Sequence, residues 1–78
     1  MNAQAPSLKA VEAIEPTAGK LTIAHMHALN LVEHCYRGSV QTEGSDARRN
    51  NVRAAILDLE EVAQRLGYDI VPARPRHG

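Results

Sequence analysis

Asp46–Leu66 reads DARRNNVRAAILDLEEVAQRL, and its apolar residues recur at the interval of an α-helix. Val52, Ala55, Ile56, Leu59, Val62, Ala63 and Leu66 gather on one side when successive residues are rotated by about 100°. That spacing predicts a helix over about 47–66 with one buried stripe. Ser45 or Asp46 is suited to cap its first free amides, and Gly67 stands where a left-handed residue closes the last turn. Asp58, Glu60, Glu61, Gln64 and Arg65 fill the polar arc, with Glu61 and Arg65 a favourable i, i+4 pair. Leu57 points away from the stripe, beside Ala54, which predicts a second, weaker apolar surface. Arg48, Arg49 and Arg53 crowd the first two turns, where the helix dipole is already positive. The negative charge that offsets them is expected from outside the helix.

Upstream, Thr22 suits the N-cap of a helix over about 23–37, with Gly38 as its stop. Ala24, Ala28, Leu29, Leu31, Val32, Cys35 and Tyr36 form its apolar arc. The connection 38–45, GSVQTEGS, is short enough to set the two helices antiparallel. Residues 21–72 therefore read as an all-α helical hairpin domain. Residues 1–20 read as a flexible N-terminal segment, in which Leu8, Val11 and Ile14 are spaced for a short helix over 8–15 that Pro16 ends. Such a piece is too short to persist undocked. Tyr68–Val71 is extended in propensity and stopped by Pro72. It needs a partner strand, expected from a second copy across a dimer axis, or it lies flat over the hairpin. The final residues 73–78, ARPRHG, read as a mobile basic tail.

With 78 residues the chain makes one small domain, and it has no Phe, no Trp and two Tyr. Much of its apolar content is alanine, so the core is thin. A single cysteine excludes an internal disulfide. Association is the remaining way to support such a core, and a homodimer with a four-helix arrangement is expected. Nine basic and nine acidic residues cancel, so no net field draws the chain to nucleic acid or anionic lipid. No apolar run is long enough for a bilayer, and MNAQAPSLKAVEAIEP lacks the pattern of a signal peptide. A cytoplasmic location is expected, with no membrane partner.

No nucleophile elbow, phosphate loop, inward carboxylate pair or metal box is present. The expectation is a chain that is not an enzyme and takes no cofactor. Cys35 lies in the apolar arc, where a buried, inert thiol is usual. His27 and His34 are expected as solvated side chains, since seven residues put them about 10 Å apart along the axis. Only two facing copies would bring them to one metal ion. Arg48, Arg49 and Arg53, with Asn50 and Asn51, carry donors that grip acidic groups and base edges. Ile23 and Met26 on the first helix, Leu57 on the second, and Tyr68, Ile70 and Val71 beyond it are outward apolar residues in need of cover. Together these imply a non-enzymatic interaction module, a regulator or inhibitor that binds another protein as a homodimer. The arginines would make its polar contacts, and the outward apolar residues its target or dimer contacts. The alternative is a nucleic-acid-binding regulator that uses the arginine-rich start of the second helix.

Overall fold

Thr17 and Ser45 set where the two helices begin. Each holds extended backbone and turns its hydroxyl oxygen onto a free first-turn amide, that of Lys20 at 3.2 Å and that of Arg48 at 3.2 Å. The computed structural model of the chain describes residues 5–11 and 15–72. In it, α1 (Ala18–Val40) and α2 (Asp46–Arg65) pack side by side as a helical hairpin. The expected limits of α2 hold to within about a residue, and Gly67 takes φ 89°, the left-handed conformation that ends the helix.

α1 is longer at both ends than its sequence suggests. Thr22, the expected cap, lies in the second turn, where its hydroxyl donates back to the Ala18 carbonyl at 2.9 Å. Gly38, the expected stop, is helical and buried, because α1 runs close to α2 there. A Cβ at position 38 would stand 3.7 Å from the Cβ of Asn51. The connection shrinks to residues 41–45, turned by Gly44 at φ 80°.

The chain is not all-α. β1 (Ser7–Ala10) and β2 (Tyr68–Val71) form a two-stranded antiparallel sheet, in register from Ser7↔Val71 to Ala10↔Tyr68. The ladder continues one step, with the Val11 amide donating to the Gly67 carbonyl at 2.8 Å. β2 is extended as expected, but its partner is the N-terminal stretch of the same chain. Over residues 7–10 the helix expected for 8–15 is replaced by strand. Pairing with β2 satisfies the backbone, whereas a helix that short cannot hold itself. Residues 1–4, 12–14 and the basic tail 73–78 lie outside the described residues.

The molecule measures 40 × 34 × 12 Å, so its thin dimension is about one helix diameter. A domain ordinarily stacks two layers around a core; this one has a single layer. Its buried apolar residues, among those described, are the three alanines Ala24, Ala55 and Ala63, and no large side chain is fully buried. Among the described residues no helix is long and apolar enough to cross a membrane.

Candidate functional site

The helix residues buried in the hairpin are small or polar: Ala24 and Gly38 on α1, and Ala55, Asp58 and Ala63 on α2. At their centre Asp58, only 8% exposed, is gripped from two sides. His27 Nδ1 lies 2.9 Å from Oδ1, and His34 Nδ1 lies 2.8 Å from Oδ2. An ionised carboxylate only accepts hydrogen bonds, so both Nδ1 atoms carry hydrogen and donate. The His27 hydrogen bond is the largest influence on the Asp58 carboxyl. With the His34 bond and the attraction of both imidazoles, it holds the group below the usual carboxylate range, against the opposing effect of burial. Toward the connection, Asn51 Nδ2 donates to Gln41 Oε1 at 2.8 Å and to the Ala47 carbonyl at 3.1 Å.

Sequence spacing puts Asp58 on the outer polar arc of α2 and the two histidines in solvent. The structure brings all three together instead. A signal was present: histidines seven apart share one helix face and leave a gap of about two turns. A single acid on a neighbouring helix fits that gap and reaches both rings.

The apolar stripes have correspondingly rotated outward. Val52, Ile56, Leu59 and Leu66, expected in the seam, are exposed, Ile56 by 52% and Leu59 by 43%. On α1, Leu21, Leu29, Val32 and Tyr36 are exposed as well, Val32 by 68% and Tyr36 by 64%. Counted from the seam, both sets are displaced in the same rotational sense along their helices. For antiparallel neighbours that places them on the same side of the layer. The result is one continuous apolar face. β1 and β2 extend it, since Leu8 and Ile70 stand opposite each other in the ladder and line a hollow with Leu59. Cys35, expected to be buried, is exposed on this side too.

The other side of the layer carries the His27–Asp58–His34 cluster. There Met26 and Leu57 are exposed, as expected of them, while Ile23 is half-buried. In β2, Tyr68 and Val71 are exposed and Ile70 is half-buried.

Compared with known protein families, curated proteins and solved structures, the chain matches none.

The arginine cluster stands at the corner where α2 begins. Arg49 pairs with Asp46 in its own first turn and donates through Nη1 to the Gly44 carbonyl at 2.6 Å. The compensating charge for Arg49 therefore comes from the helix itself and the residues before it, not from a separate element. Glu33 is engaged elsewhere, with Arg37 Nε at 2.9 Å. Arg48 and Arg53 have no ion pair among the described residues. With Glu43, Val52 and Ile56 they border a shallow hollow of ≈ 420 Å³. Its chemistry is amphipathic, cationic at the rim and aliphatic at the floor. Among the described residues no group of three or more His, Cys, Asp or Glu is placed to hold a metal ion.

Proposed function

We propose that this chain is a non-enzymatic interaction module, a homodimer with four helices in two layers, that regulates or inhibits another protein by binding it. The observation that carries the reading is the single-layer hairpin, whose large aliphatic side chains lie outside while alanines fill the inside. Exposed aliphatic surface on this scale marks an interaction site rather than an ordinary monomer surface. Arg48 and Arg53, with no ion pair of their own among the described residues, are suited to acidic groups on the target. Met26 and Leu57 supply apolar contacts on the side away from the main face.

The test pairs sedimentation with affinity capture. Wild type and an Arg48→Glu, Arg53→Glu variant are compared at a concentration where each sediments as a dimer, and one retained protein should be lost with the variant. Retention of that protein by both forms would remove the arginines from the contact. The same two arginines at a helix start also favour a second reading, binding of nucleic acid. A labelled duplex or RNA bound at low salt, released steeply as salt rises, would shift the assignment to it.

A further inference from the structure

We propose that the occupant of the face bearing Val32, Tyr36, Val52, Ile56 and Leu59 is a second copy of this chain, docked helices on helices about a two-fold axis. The inference rests on the homodimer reading and adds to it the surface and its occupant. Apolar area on this face is on the order of 800 Å², taking eight large side chains at about half exposure. That exceeds the largest patch of an ordinary monomer, roughly 300–600 Å², and equals the approximately 800 Å² each partner gives to a standard interface. Two layers brought together here enclose an aliphatic core that one layer lacks.

A two-fold contact sets residues of one kind near their own copies, so it tolerates aliphatic side chains and penalises unpaired charge. On the proposed face Arg48 and Arg53 stand at one corner, beside Val52 and Ile56, whereas the competing surfaces carry charge at their centres. The opposite side of the layer carries the part-buried His27–Asp58–His34 cluster, whose two rings, 26% and 28% exposed, would lose their remaining water. The sheet edges fail for a related reason. Val11 and Gly67 form a hydrogen-bonded pair, so Leu8 and Ala10 turn their amides outward from β1, as Tyr68 and Ile70 do from β2. Self-pairing of β1 would centre on Lys9 and set it opposite its own copy. Self-pairing of β2 would do the same to Asp69. Like charges directly opposite are unfavourable.

Cys35, the chain's one cysteine, is exposed in the single chain on the same side of α1 as Val32. It therefore reports on this face without any substitution. Thiol labelling of the native protein is compared with a Cys35→Ser, Leu57→Cys form, whose thiol lies on the other side. Both are measured at a concentration where sedimentation gives a dimer, and each is normalised to its rate in urea. Cys35 is expected to react roughly tenfold or more slowly than the thiol at position 57, because reactivity follows exposure. A dimer in which Cys35 reacts as fast as the thiol at 57 overturns the assignment of the face and leaves the homodimer reading standing. A folded single-chain species at every concentration overturns both.

Discussion

Removing the Asp58 carboxylate takes away the acceptor shared by His27 and His34, and the size of the loss follows from the geometry. Two hydrogen bonds to an ionised group, at 2.9 and 2.8 Å, would contribute about 1.5–3 kcal/mol each in a dry interior. The seam is not dry, since the two histidine side chains are 26% and 28% exposed. Water can therefore reach the freed Nδ1 hydrogens and recover part of the loss. Asp58→Ala is accordingly expected to destabilise the fold by about 2–3 kcal/mol, or about 10–20 °C in melting temperature for a chain of this size. Asp58→Asn keeps one acceptor oxygen and should fall between Asp58→Ala and wild type. The assay is urea denaturation followed by circular dichroism at one fixed protein concentration, because association contributes to apparent stability. His27→Ala is added alone and in combination to close a double-mutant cycle. If the cluster acts as a unit, the combined loss is smaller than the sum of the single losses by about 1 kcal/mol. Additive losses, or an Asp58→Ala variant within about 0.5 kcal/mol of wild type, would refute this account of the seam.

Three further outcomes follow from named positions. The lowered Asp58 carboxyl contributes stability that is present above the unfolded value, about pH 4, and is lost as pH falls through the lower folded value. The urea midpoint should therefore drop below about pH 4 in wild type, and that portion of the drop should be missing from Asp58→Asn. Gly38→Ala should stabilise by about 0.5–1 kcal/mol despite its buried position, since the new methyl meets Asn51 at ordinary contact distance and helix entropy improves; a lower midpoint would show that the helices need closer approach there. Gly67→Ala, at φ 89°, should cost about 1–2 kcal/mol and loosen the β1–β2 ladder, read as faster amide exchange at Val11, whose bond to the Gly67 carbonyl closes the sheet.

What the sequence discloses about this fold is mostly local. The ends of α2 are legible because a serine hydroxyl and a glycine act within one turn of where they stand. α1 is harder to delimit, because two threonines five positions apart are equally suitable caps. The structure uses the earlier one, Thr17, whose hydroxyl takes the Lys20 amide. β1 is not legible at all. Leu8 and Val11 fit a helix as well as a strand, and the choice is made by a partner at the other end of the chain. The seam is the instructive case. Periodicity identified both apolar stripes, and it carries no information on what a stripe faces. The hairpin closes on alanine, glycine and a shared carboxylate, and His27 and His34 lie 31 and 24 positions from the acid they hold. For the candidate site, exposure of Met26 and Leu57 is legible in the sequence; Arg49 and Asp46, three residues apart, pair within the first turn, where the sequence reading places the offsetting charge outside the helix.

Pairing of Ser7 with Val71 joins the two extremities of the described chain. Such a contact has the longest loop to close, so the helices should associate early in folding and the ribbon should zip last. It also brings entry and exit to one place. A circular permutant that joins residue 5 to residue 72 through a short linker and opens the 41–45 connection should keep the same backbone, with the slow step moved to the docking of one helix on the other. Stopped-flow refolding of the two forms would show whether the order of events is set by the connectivity of the chain or by the strength of its seam.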